Sequence, residues 1–181
     1  MTQNQKMMEE IMNSQEQLVK FTNQVSSLAI EVYEELGSGF KEDTLQQGLA
    51  IAFRHAQIKY LRETHLEIFY KKESLGLFRL DFFIPAQKNK KWELKHPVII
   101  ETKAAAKLNV DARLQLKNYL ISLPRNASEE LKHIKEGILI NWNNKQDPLE
   151  FENKPIDVEV ELWSLKKNKF KPIHDNKIEE D

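Results

Sequence analysis

The chain has 181 residues, 27 basic against 28 acidic side chains, and no cysteine. At that length one domain with extensions is the simplest organisation, and a net charge of -1 carries no general nucleic-acid signature. The absence of cysteine excludes disulfides, cysteine-ligated zinc or clusters, and thiol catalysis.

With 40% hydrophobic and 30% charged residues and a mean hydropathy of -0.60, the chain reads as soluble with a modest core. No apolar run approaches the roughly 18 residues that span a bilayer. The opening Met1-Thr2-Gln3-Asn4-Gln5 lacks the basic-then-apolar layout of a signal peptide, so a cytoplasmic protein is expected.

Residues 1–17 are polar, rich in Gln, Asn and Met, and are expected to be a flexible lead-in to a domain over 18–172. From Leu18, the positions Leu18, Phe21, Val25, Leu28, Val32 and Leu36 recur every three or four residues. That predicts a helix burying one stripe and closed by Gly37. After the Gly37-Ser38-Gly39-Phe40 turn, a second helix is predicted through about Gln57, with Leu45, Leu49, Ala52, Phe53 and Ala56 inward.

Leu66–Lys71 and Leu77–Ile84 read as a hairpin around Lys72-Glu73-Ser74. Strict alternation puts Leu77, Arg79, Asp81 and Phe83 on one face and Phe78, Leu80, Phe82 and Ile84 on the other. A lysine-rich loop leads to a buried strand, Val98–Lys103. Asp111 to Ile121 is a third helix stopped by Pro124. Gly137–Trp142 is another buried strand, Val158–Leu165 alternates as a last one, and an acidic tail over 173–181 is expected to be disordered. Strand, helix, strand in the second half suggests a crossover, hence an α/β class with a mixed sheet and helices on its faces.

Charge is unevenly placed. Residues 1–43 hold eight acids and three bases, whereas 85–107 hold six lysines against Glu93 and Glu101, and Lys166, Lys167, Lys169 and Lys171 cluster further on. Such patches could follow a phosphate backbone, but lysine-rich hairpin tips and edges are usually just solvated, and that is the favoured reading of either cluster taken alone. The five histidines have no paired ligand spacing, so any metal should be hard and oxygen-bound.

Four features stand in a suggestive order. Glu42 opens the second helix, Asp81 lies in an apolar strand, Glu101-Thr102-Lys103 ends the next strand, and Gln115 and Tyr119 share a helix face at i and i+4. Asp81 and Glu101 on neighbouring strands could ligate a magnesium-type ion with the Thr102 carbonyl, while Glu42 holds a metal-bound water or joins a second metal. Lys103 would orient a water or stabilise developing charge. Each piece has a plainer reading. Glu101 and Lys103 can be a structural ion pair, Asp81 can pair with Arg79 or Arg113, Tyr119 can be core, and Glu42 can simply favour a helix N-terminus.

Asp81, Glu101-Thr102-Lys103 and Gln115-Leu116-Lys117-Asn118-Tyr119 together resemble the PD-(D/E)XK nuclease superfamily, the Q-x-x-x-Y helix being similar to that of its RecB-like exonuclease branch. Over residues 25–142 the chain resembles the small GxxExxY proteins of that superfamily. The matching segments are Gly37-Ser38-Gly39-Phe40-Lys41-Glu42, Arg79-Leu80-Asp81-Phe82, Val98 to Ala104, Gln115 to Leu120 and Gly137 to Trp142. Leu45 stands where that group has its tyrosine, and the spacer between Asp81 and Glu101 carries an extra lysine-rich insertion. The resemblance implies a restriction-endonuclease-like core, with Asp81 and Glu101 binding metal, Lys103 serving catalysis, Glu42 completing the acidic cluster and Gln115 and Tyr119 forming an accessory motif.

The expected function is therefore an Mg²⁺- or Mn²⁺-dependent nuclease hydrolysing phosphodiester bonds, of DNA more than RNA. A homodimer is left open, since cutting two strands often needs two sites. The alternatives are a catalytically silent nucleic-acid-binding domain on the same fold and a protein-interaction module.

Overall fold

The computed structural model describes residues 2–144 and 157–176. Its longest element is α1 (Gln3–Leu36), 34 residues without a proline or glycine. Thr2 and Gln5 form a reciprocal capping box at its start, and Gly37, at φ +78°, closes it with its N–H on the Tyr33 carbonyl. The stretch expected as a flexible lead-in is thus helical from Gln3 onward. Gln, Met, Glu and Lys are good helix formers, and continuity with the packed turns after Leu18 removes the cost of nucleation.

Helix α2 (Glu42–His55) follows, ending two residues before the expected Gln57. Strands β1 (Leu61–Tyr70) and β2 (Glu73–Ile84) make a hairpin longer than its sequence signal. The lysine-rich insertion folds into a two-stranded appendage, β3 (Gln87–Lys88) and β4 (Glu93–Leu94). Its lysines Lys88, Lys90, Lys91 and Lys95 are exposed, while Trp92 and Leu94 are buried. Trp92 packs edge-on against Phe21 of α1. Next come β5 (Val98–Lys103), α3 (Val110–Ser122), a single 3-10 turn (Leu123–Arg125) containing Pro124, and the short α4 (Glu129–Lys132). The chain then forms β6 (Glu136–Trp142), β7 (Val158–Lys166) and β8 (Lys169–Asp175). β7 is not the last strand. The Lys166–Lys171 cluster is the turn into β8, which carries the chain through 173–175; residues 177–181 of the expected tail lie outside the described residues.

The six main strands form one sheet in the order β1-β2-β5-β6-β7-β8. Only β5 and β6 are parallel, joined by a crossover through α3. This is the mixed sheet flanked by helices of a restriction-endonuclease-like fold. α1 and α2 cover one face, over Phe82, Ile84, Val98, Ile100, Ile138, Ile140, Val160 and Leu162. α3 covers the other, over Leu80, Phe83, Ile99 and Leu139. Trp142 donates its indole N–H to the Ala29 carbonyl at 2.9 Å, and the Tyr33 hydroxyl reaches the Asn143 carbonyl at 2.9 Å, tying α1 to the end of β6.

Strict alternation fails at one place. Leu80 joins the α3 side whereas Phe82 and Ile84 join the other. The slip coincides with Glu63, at φ +56°, bracketed by the pairs Arg62↔Phe82 and Thr64↔Leu80. The two strands keep equal counts here, so the positive φ of Glu63 marks a local twist without an inserted residue. Asp81 is the residue in that twist.

Candidate active site

Strand β5 delivers its polar residues to opposite faces by alternation. Val98 and Ile100 face α1 and α2 and Ile99 faces α3, so Thr102 turns towards α2 and Glu101 and Lys103 towards α3. The contacts agree. Glu101 is 3% exposed. Its Oε1 accepts from Lys103 Nζ at 2.9 Å and from Gln115 Nε2 on α3 at 2.7 Å. The same Gln115 amide donates to the Tyr119 hydroxyl at 2.8 Å, so the i, i+4 pair acts as one unit. Glu101 Oε2 is buried without a hydrogen-bond partner.

Asp81 is held differently. β2 pairs with β5 only from Phe82↔Ile100 to Ile84↔Val98. Past that point the Asp81 carboxylate takes over the ladder: Oδ2 accepts from the Thr102 N–H at 2.8 Å and from the Thr102 hydroxyl at 2.9 Å. Glu42, first residue of α2, accepts from the Ala104 N–H at 3.3 Å and from Gln46 Nε2 at 3.4 Å.

These carboxylates feel one another. Burial, then the nearby Asp81 charge, pushes the Glu101 carboxyl up to about 7, despite the Lys103 ammonium beside it. Burial also raises Glu42, with Lys103 opposing and Asp81 adding to the shift. Burial opposes charge on Lys103, but Glu101, Glu42 and Asp81 together hold its pKa above the ordinary ammonium value. Burial raises the Tyr119 hydroxyl as well, with the Gln115 hydrogen bond opposing. One ammonium thus serves three carboxylates. The site is short of positive charge.

The residues singled out from the sequence fall into two hydrogen-bonded sets, Glu101–Lys103–Gln115–Tyr119 and Asp81–Thr102 beside Glu42, coupled by their charges. One plainer reading falls away: Arg79 pairs with Glu63 at 3.2 Å, and Arg113 pairs with Glu161, so neither is the partner of Asp81. Three others hold as geometry. Glu101 and Lys103 do form an ion pair, Tyr119 is buried, and Glu42 opens its helix. What sequence reading missed is Gln46 and the side chain of Thr102. Gln46 Nε2 donates to Thr102 Oγ1 at 2.8 Å while its Oε1 accepts from Arg62 at 3.3 Å, giving a relay Arg62–Gln46–Thr102–Asp81. The signal was present: Gln46 lies four residues after Glu42 on a predicted helix, hence on its face.

Among the described residues, no three His, Asp or Glu side chains are grouped so as to hold a metal ion. Glu42 accepts from the Ala104 N–H and from Gln46. The donor chemistry nevertheless fits a hard divalent ion of the kind held by one or two carboxylates with waters. Two carboxylates interact here, and burial disfavours the negative charge of Glu101, whose Oε2 is the orphaned buried oxygen.

A family model described as the PD-(D/E)XK nuclease superfamily matches residues 19–153, most of the chain. The protein belongs to that superfamily. Searches of curated proteins and of solved structures returned no match. No described helix is long and apolar enough to cross a membrane.

Proposed function

We propose that the protein is a metal-dependent nuclease that hydrolyses phosphodiester bonds, of DNA in preference to RNA, with Mg²⁺ or Mn²⁺ as cofactor. The observation that carries this reading is Glu101: a carboxylate 3% exposed, with Oε2 unpartnered and its charge penalised first by burial and then by Asp81. Asp81 and Glu101 would hold the ion, with the Thr102 carbonyl as a further ligand and Glu42 holding a water. Such an ion, when bound, neutralises phosphate charge and acidifies a coordinated water. Lys103 stays an ammonium at neutral pH and would turn to the charge developing on the scissile phosphate. Gln115, braced by Tyr119, fixes the rotamer of Glu101, and Thr102 fixes that of Asp81. Within the superfamily we place the chain nearest the GxxExxY proteins and in the cytoplasm, with a homodimer where both strands of a duplex are cut.

A second reading has its own support. Lys103 is engaged with Glu101, and no third acidic ligand joins the pair among the described residues; a silent nucleic-acid-binding domain would look like this. Incubating single-stranded, duplex and structured DNA and RNA with Mg²⁺ or Mn²⁺ separates the two. The nuclease reading expects cutting by the wild type and none by Lys103→Ala. Equal cutting by both proteins, or none by either under every condition, sinks it.

A further inference from the structure

The β1–β2 hairpin does not end where the sheet ends. β2 pairs with β5 over Phe82–Ile84 only, while residues 73–80 pair with β1 alone. β5 runs antiparallel to β2, so this free segment projects past the end of β5 that carries Glu101 and Lys103. From Asp81 to Ser74 is seven residues, roughly 20–25 Å of strand. That reach matches about seven nucleotide steps at helical rise, and fewer for an extended strand.

We propose that the free end of this hairpin is a nucleic-acid-binding arm, in which Lys71, Lys72 and Arg125 cradle backbone phosphates and Tyr70 stacks an unpaired base of a strand running from the Asp81–Glu101 site. The proposal rests on the nuclease reading and names the form of substrate, a single-stranded segment beside the cut.

Three observations carry it. Phe69, Lys71, Lys72 and Arg125 line one recess that contains three cations and no carboxylate. Arg125 is exposed, but the turn that carries it is anchored. The adjacent Asn126, 6% exposed, accepts from the Glu67 N–H at 2.9 Å and donates to the Glu67 carbonyl at 3.1 Å, locking the 3-10 turn to the outer edge of β1. That clamp also satisfies an edge that would otherwise invite another strand.

The turn itself is the second observation. Tyr70↔Glu73 is the last pair, so Lys71 and Lys72 are a two-residue loop, with φ of +48° and +71°. Glycine and asparagine suit such positions, and an L-residue with a full side chain is strained at each. These two positions put both ammonium groups at the very end of the hairpin.

Third, the surface beside the cations is aromatic and apolar. Tyr70 is 60% exposed, with Lys71 Nζ 5.3 Å from its ring centre, and Leu75, Leu77 and Phe78 are also exposed. Cations interleaved with open ring faces suit unpaired bases, which a closed duplex does not present. Glu73 is the one acid at the tip, and Glu63 is already paired with Arg79.

The test uses Lys103→Ala protein in Mg²⁺, to prevent cutting, and a fluorescent oligothymidylate of about 20 nucleotides. Lys71→Asn combined with Lys72→Gly should relax the turn and leave the melting temperature equal or higher, yet weaken binding about tenfold at 0.1 M salt and lower the salt slope by about one. Arg125→Ser should act in the same direction. Tyr70→Ala should weaken single-strand binding about tenfold without changing the slope. Binding within twofold of the parent for the turn variant and for Arg125→Ser overturns the arm. Loss of duplex binding with no effect of Tyr70→Ala on single strands overturns the single-strand assignment. Cutting by the wild type is scored in parallel. Cutting without arm-dependent binding removes the arm alone, and arm-dependent binding without cutting removes the nuclease reading alone.

Discussion

Thr102 holds Asp81 twice, its N–H and its hydroxyl both donating to Oδ2, at 2.8 and 2.9 Å. The same hydroxyl accepts from Gln46, so its proton has one place to go: the carboxylate. Asp81 therefore has one oxygen committed to the protein and the other left for a ligand. Thr102→Val keeps the shape but strands a donor on Gln46 and frees Asp81 to rotate. We expect a loss of about 1–2 kcal/mol in stability by urea unfolding. A similar loss of transition-state stabilisation would lower kcat/KM about tenfold.

Glu101 makes a pH signature. Its carboxyl moves from 4.5 to about 7 on folding, so the folded state binds the proton more tightly. The associated stability is fully present below pH 4.5 and is lost as pH rises through 7. The loss is on the order of 3 kcal/mol for the metal-free protein. Urea titrations across this range should show that decline in the wild type and not in Glu101→Gln. A bound divalent ion should reverse it, raising the melting temperature more at pH 8 than at pH 6; Glu101→Gln and Asp81→Asn should show no such rise.

Gly137 lets the accessory helix approach the sheet. A Cβ there would lie 2.6 Å from Leu116 Cδ1 and 3.2 Å from Leu116 Cγ. Leu116 is fully buried and adjoins Gln115, so it has little room to give. Gly137→Ala is expected to cost about 2 kcal/mol. By lifting α3 it should also loosen the Gln115–Glu101 bond, so activity should fall further than the melting temperature alone accounts for. Retention of full activity in a destabilised variant would dissociate α3 from the site.

Asn126 sets the outer edge of β1. Asn126→Ala leaves the Glu67 N–H and carbonyl without their clamp and should cost about 2 kcal/mol. Hydrogen exchange should quicken at Glu67 while amides of β6 stay protected.

The amphipathic spacing from Leu18 to Leu36, the glycine stop at Gly37 and the β-branched run before Glu101 were legible because each is a local pattern with one physical meaning. Glu42, Asp81, Glu101, Lys103, Gln115 and Tyr119 were legible as an order of residue types on expected elements. The helical state of residues 3–17 was not, since their polar composition suits either coil or an exposed helix, and attachment to the packed turns of α1 decides. The slip of faces between Leu80 and Phe82 was hidden because the irregular residue, Glu63, lies on the partner strand.

Sequence by itself thus determined the main helices and strands from Leu18 to Leu165 and which chemistry-bearing residues they carry, because propensity, periodicity and turn chemistry act over a few neighbouring residues. Only the tertiary structure decided that Glu101 is left with a bare buried oxygen, that Gln46 steers Thr102 onto Asp81, and that the hairpin overhangs the site. Those facts depend on burial and on contacts between residues far apart in the chain, such as the 56 positions separating Gln46 from Thr102, and no local pattern encodes them.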